Sequence, residues 1–346
     1  AYTDIDKPSD YFNTVLYTGN GGTQSITSLE FAPNWVWIKS RSTVRNNVLN
    51  DTVRGATKNL FSNTTGTEST DTGTLTSFNS DGFTLSNNAK VNESSTTFAS
   101  WNWKAGTSFT NDASATGIGS IDSAGSVNTD AGFSIVSWTG TGSAGTIKHG
   151  LSTAPSMIII KNRSSAYDWT VGHNSLGWTN VVFLNLTTAS QGDTQFNNTA
   201  PTSSVFSIGT PLMANKSGDS IIAYCFSEKK GYSKFSSFVG NGNADGTFIY
   251  TGFKPAWVMW KRTDATNDWY IYDNKRNSFN TMGRRLEANQ SDAEVNSGSA
   301  IVDFLSNGYK FRGTDPSWNV SGGNFIYMAF AEESFVSSSG VPATAR

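Results

Sequence analysis

Cysteine, histidine and charge are all scarce in this chain, and each scarcity removes a class of protein. Cys225 is the only cysteine among 346 residues, so no intrachain disulfide can form. It lies in the apolar run Ile-Ala-Tyr-Cys-Phe, where a buried small hydrophobe is expected rather than a reactive thiol. The two histidines, His149 and His173, are not spaced as a ligand pair. No His-Glu-x-x-His, Cys-x-x-Cys or EF-hand loop is present, so neither a metal nor a cofactor is expected. Charged residues make up 15% of the chain with a net charge of −2, and the isoelectric point is near 5.8. That balance excludes the basic footprint of a nucleic-acid binder. No apolar run approaches the roughly 18 to 20 residues of a membrane span. The opening Ala1-Tyr2-Thr3-Asp4 carries neither the charged nor the apolar region of a signal peptide, so synthesis in the cytoplasm without a leader is expected.

What the chain does have is repetition. Pro33-Asn34-Trp35-Val36-Trp37-Ile38-Lys39 returns as Pro155-Ser156-Met157-Ile158-Ile159-Ile160-Lys161 and as Pro255-Ala256-Trp257-Val258-Met259-Trp260-Lys261. A Gly-x-Gly pair precedes each proline (Gly19/Gly21, Gly140/Gly142, Gly240/Gly242), and a polar residue follows each by 18 positions: Asp51, His173, Asp273. Closing apolar runs, Phe98 to Trp103, Ile221 to Phe226 and Phe325 to Phe330, end the three copies. A period of this length decides the architecture ahead of local patterns.

Within each copy the signals are those of strands. Phe133-Ser-Ile-Val-Ser-Trp138 alternates apolar and polar residues, as a half-buried strand does. The run after each proline is nearly continuous and apolar, which predicts a strand buried on both faces. Asp81-Gly82 and Asn307-Gly308 introduce further alternating strands. Residues 281 to 295 are read as holding a turn or two of helix. The chain is therefore expected to be all-β, with three tandem β-sandwich, jelly-roll-like modules. The expected boundaries are 1–107 for the first, 132–235 for the second and 236–346 for the third with an extended C-terminal tail. Residues 108–131, rich in Gly, Ser and Thr, read as a linker, either a flexible tether or an arm laid along a neighbour. Modules of about 100 residues can each bury a core, so they read as small domains.

The candidate site residues follow the repeat. Lys39, Lys161 and Lys261 each precede Asp51, His173 or Asp273 by 12 positions, and pairing of their strands would bring each couple to one sheet face. Arg54 and Arg276 join the set in the first and third modules, where the second has Leu176. These residues form either a polar groove for a sugar or a subunit contact, or else a repeated structural ion pair. Trp178 and Trp318 lie in polar, loop-like sequence and are candidates for stacking on a ligand or anchoring an interface. Trp35, Trp37, Trp101, Trp103, Trp257 and Trp260 read as core. Asp292 and Glu294 are the acidic residues considered for calcium. Gly240 to Gly246 reads as turns, because neither a helix nor Gly-Lys-Ser/Thr follows. No copy spaces two carboxylates, or a nucleophile and a base, for hydrolysis, so no catalytic residue is assigned and no enzyme is expected.

Phe133-Ser-Ile-Val-Ser-Trp-Thr-Gly-Thr-Gly142, His149-Gly-Leu-Ser-Thr-Ala-Pro-Ser-Met-Ile-Ile-Ile-Lys-Asn-Arg163 and Asp168-Trp-Thr-Val171 resemble a repeat of tailed-phage virion proteins, particularly those of marine and cyanobacterial phages. Tyr250-Thr-Gly-Phe-Lys-Pro-Ala-Trp-Val258, Tyr272-Asp-Asn-Lys-Arg-Asn277 and Ile326-Tyr-Met-Ala-Phe-Ala-Glu332 are similar to the C-terminal domain of the same proteins, and Tyr2 to Phe12 to their opening. The resemblance implies a structural virion component, a tail fibre or peripheral appendage for host recognition. Its alternatives are a capsid decoration or head-fibre protein and a carbohydrate-binding, lectin-like module. The implied partners are further copies of the chain, as a homo-oligomer such as a trimer, other virion proteins and a host-surface glycan.

Overall fold

The computed structural model describes residues 2–298 and 301–342. It is nearly all β, and one six-strand order occurs three times. In the first module the order is Phe12–Thr18, Thr97–Trp103, Trp35–Ser40, Val48–Asp51, Lys58–Phe61, Ser69–Thr70. The second repeats it with Phe133–Thr139, Ser220–Phe226, Met157–Asn162, Thr170–His173, Asn180–Phe183 and Gln191–Gly192. The third does so with Ser233–Val239, Asn324–Ser334, Phe253–Arg262, Trp269–Asp273, Arg284–Glu287 and Val295–Asn296. Every pairing between these strands is antiparallel. A small sheet faces each large one, built on Gln24–Ile26, Gly145–Lys148 and Phe248–Tyr250.

The alternation within the proline strands shows how the sheets are layered. Val36 and Ile38 enter a core enclosed by the first module alone, whereas Trp35 and Trp37 point the other way into a cluster shared by all three modules. Ile158 and Ile160 against Met157 and Ile159, and Val258 and Trp260 against Trp257 and Met259, divide in the same manner. The near-continuous apolar run is thus buried on both faces, by its own small sheet on one side and by the other two modules on the other. Trp35 stacks on Tyr224 at 4.3 Å, Trp103 meets Trp257 edge-on at 5.7 Å, and Phe226 meets Phe330 at 6.1 Å. Seven tryptophans occupy the shared cluster: 35, 37, 101, 103, 169, 257 and 269. Each large side chain exposed by separation would lose about 1.5–3 kcal/mol of burial. The modules, each with a core of its own, are therefore also joined around a common one.

One expectation changes, and one open choice closes. Of the two readings of the Gly/Ser/Thr-rich stretch 108–131, the structure has the arm laid along a neighbour, not the flexible tether. Thr107–Asn111 pairs with Ser123–Asn128, which adds to the free edge of Phe133–Thr139. Small residues suit that arm, since a Cβ on Gly125 would stand 2.0 Å from the Ile135 carbonyl oxygen. Residues 281 to 295 hold the strand Arg284–Glu287 and the start of Val295–Asn296, because the repeat's sheet order outweighs local helical propensity. The C-terminal tail is tied down as far as it is described: Ser338 N–H donates to Asp6 Oδ1 at 2.7 Å.

Candidate functional site: the module junctions and a cleft at the third module

The eight repeat-defined residues do not line a groove. All are buried, none more than 6% exposed, where one module meets the next. Nor do the lysines meet their polar partners. Asp51, His173 and Asp273 lie opposite Trp35, Met157 and Trp257 at the start of the proline strand, four residues from the lysines on the same strand. A 12-residue spacing fixes the shared face but leaves the two groups at opposite ends of it.

Each lysine instead reaches across a junction to a backbone carbonyl of the neighbouring module. Lys39 Nζ donates to Ser291 O at 3.0 Å, Lys161 Nζ to Thr65 O at 3.0 Å and Lys261 Nζ to Thr187 O at 3.0 Å. Burial pushes all three ammonium groups down to about 8. Depressed lysines often mark nucleophilic sites. These three are enclosed and spend their protons on carbonyls, within their own module too: Arg45 O, Tyr167 O and Arg262 O.

The other end of each junction is polar in a way that varies with its neighbours. Asp51 accepts the Tyr224 hydroxyl of the second module at 2.7 Å, and Asp273 accepts Trp101 Nε1 of the first at 3.0 Å. The Arg54 and Arg276 guanidinium groups close each carboxylate within its own module. At the third junction the residue equivalent to Tyr224 and Trp101 is Met328, which has no such donor. Here the aspartate is replaced by His173, whose Nε2 meets the Tyr327 carbonyl at 3.2 Å, and the arginine by Leu176, which packs on the shared cluster. Three substitutions thus change together for one reason: no donor, no carboxylate, no guanidinium. Asn47 shows the same logic. Trp169 and Trp269 donate across their junctions to Phe61 O and Phe183 O, whereas Asn47 donates to Glu287 O and Gln290 O and accepts from Trp37.

Trp178 and Trp318 are core residues, 2% and 1% exposed, so their expected roles in ligand stacking or interface anchoring are corrected. Trp178 packs edge-on against Phe196, and Trp318 against Tyr270. Exposed Gly177 and Thr179 beside Trp178, and exposed Pro316 before Trp318, hide this. Glu294, considered for calcium, is shared among Arg41, Arg276 and Arg284, which leaves its carboxylate engaged with cations already. Cys225 is buried in the second module's core.

Sequence reasoning missed a repeated asparagine. Asn92, Asn215 and Asn319 end short helices and accept the backbone N–H of Asn20, Thr141 and Asn241, the middle residue of each Gly-x-Gly loop. The first glycine of each loop passes the carbonyl following that asparagine, so that a Cβ would stand 2.2–2.3 Å from it, and the second has positive φ. The signal was present in the asparagines 59, 60 and 64 positions after the prolines. Asn319→Ala would strand three acceptors and one N–H. It is expected to destabilise the chain by about 2–3 kcal/mol, measurable as a lower urea midpoint at unchanged slope.

An accessible polar cleft lies at the third module. Six residues separate Asp51 or His173 from the next strand, but ten, 274–283, follow Asp273. That longer loop carries Phe279, which is 83% exposed. It forms a hollow of about 410 Å³ with Lys254, Asn274, Lys275, Met282, Phe304 and Glu332. A second hollow of about 200 Å³ shares Asn274, Lys275 and Glu332 and runs on to Ser9, Asn13, Thr14 and Glu30 of the first module. Lys254 and Glu332 pair at 2.6 Å across the shared wall.

Fold and junctions together define an all-β protein in which three like sandwiches are braced round one core. The chain belongs to the family of domains of unknown function DUF7483, whose model matches residues 7–334 as one unit across all three modules. No curated protein and no solved structure matches it. Among the described residues no helix is long and apolar enough to cross a membrane.

Proposed function

We propose that the chain is a non-enzymatic virion protein of a tailed phage, a tail fibre or peripheral appendage that works by displaying surfaces. The observation that carries this reading is the use made of the repeated reactive side chains. Lysines 39, 161 and 261, Asp51, His173 and Asp273 are all spent as buried braces between modules. What the fold holds rigid and leaves accessible is its rim of loops and clefts, as a display function requires. The chain's partners on this reading are further copies of itself, as a homotrimer, other virion proteins and a host-surface glycan. Gold-tagged antibody against the chain, imaged on purified particles, tests the reading. Gold on tail appendages is the expected result. Gold spread over the head would replace the appendage with a capsid decoration or head fibre, and bare particles would overturn the virion assignment.

A further inference from the structure

The hollow between the first and third modules is where the threefold repeat breaks down. Thr14 occupies the position held by Ile135 and Phe235 in the other modules, and both of those belong to the shared apolar cluster. Thr14 is 5% exposed, and its hydroxyl makes no hydrogen bond within the chain. Asn274 is the counterpart of Thr52 and Asn174. Thr52 Oγ1 is met by Asn34 at 3.2 Å and Asn174 Oδ1 by Trp178 Nε1 at 3.3 Å. Asn274 Oδ1 is enclosed and unmet. Both residues line the same hollow. A buried polar atom without a partner is costly, and two residues that carry one meet at this repeat-breaking place.

The rest of the lining says what chemistry would meet them. Glu30 and Glu332 add carboxylate acceptors, Ser9 and Thr14 add hydroxyls, and Glu30 and Glu332 are each balanced by a lysine, Lys7 and Lys254. Lys275, exposed and lining both hollows, and the Asn13 amide add donors, so the wall offers donors and acceptors together and suits a ligand whose hydroxyls do both. The adjoining hollow offers an apolar floor of Met282 and Phe304 and the exposed Phe279 ring at its rim. An aromatic face beside amide and carboxylate acceptors suits a ligand that alternates hydroxyls with C–H faces.

We propose that this two-part groove, from Phe279 past Asn274 to Thr14, binds a neutral linear oligosaccharide. The inference deepens the display reading and rests on it for the origin of the saccharide, a host-surface polymer. The intact chain would be applied to a printed array of neutral bacterial and plant oligosaccharides, and hits titrated calorimetrically alongside maltohexaose and cellohexaose. At least one is expected to bind with a Kd of about 1 mM or tighter. Phe279→Ala, at an exposed tip, should weaken it about tenfold with melting unchanged, and so should Thr14→Val, with circular dichroism unchanged and melting no lower. No binding on array or in solution would overturn the inference, as would binding that neither substitution weakens. Gold on the tail with no saccharide bound would sink the groove alone. Saccharide binding with bare particles would sink the display reading and leave the groove.

Discussion

Asp273→Ala is expected to cost the folded chain about 3–5 kcal/mol, because it leaves a buried guanidinium without its carboxylate. Asp273 accepts the Arg276 backbone N–H at 2.8 Å, Arg276 Nε at 2.6 Å and Trp101 Nε1 of the first module at 3.0 Å. The same loss is expected for Asp51→Ala, which strands Arg54 and the Tyr224 hydroxyl. The chain contains its own control. The third junction manages without a carboxylate because its donor and its cation are missing too. The combination Asp51→His, Arg54→Leu and Tyr224→Met should therefore be more stable than Asp51→Ala alone, although it changes three residues. Urea unfolding followed by tryptophan fluorescence reads both. A triple variant less stable than the single one would show that the junctions are not interchangeable, and would undo the account of why the three substitutions go together.

The second large effect is acid destabilisation through the histidines. His149 and His173 are bonded alike. A backbone N–H, from Leu151 or Ser175, donates to Nδ1, so the proton sits on Nε2 and faces the carbonyl of Thr202 or Tyr327. The neutral ring satisfies both contacts, whereas a second proton would remove the acceptor. Burial pushes both rings down to about 4 from an ordinary 6.5. A pKa depressed on folding means that the unfolded chain takes up protons first as pH falls. The contribution is therefore complete above pH 6.5, shrinks between 6.5 and 4, and is gone below. It amounts to about 3 kcal/mol for each histidine. His173→Asn should remove about half of this decline. Urea midpoints measured from pH 7 to pH 4 check it, and an acid limb as steep in the variant as in the parent would refute the assignment.

Strand content, the threefold repeat and the core tryptophans were legible in the sequence because they depend on local pattern. Alternation, turn glycines and a proline at each strand start report the pleat directly. The candidate site was legible only in part. The repeat singled out Lys39, Asp51 and their counterparts, but spacing along a chain gives a face and no partner. The partners are carbonyls, a tyrosine and a tryptophan in other modules, 74 to 252 residues away. Trp178 and Trp318 misled because hydrophilic neighbours in short turns resemble an exposed loop. Phe279, which is exposed, lay in an insertion that becomes visible when Asp273 is aligned with Asp51 and His173.

By itself, then, the sequence determined an all-β chain written three times, with apolar runs that must be covered on both faces. Only the tertiary structure decided what covers the second face. The answer is the other two modules, and that choice decides among groove, subunit contact and structural pair by making the lysines, aspartates and histidine buried braces. The reason is physical: periodicity records whether a side chain leaves water, whereas the identity of what it meets depends on how separate sheets pack. The same packing placed Thr14 and Asn274 beside one hollow, a juxtaposition that residues 260 positions apart could not announce.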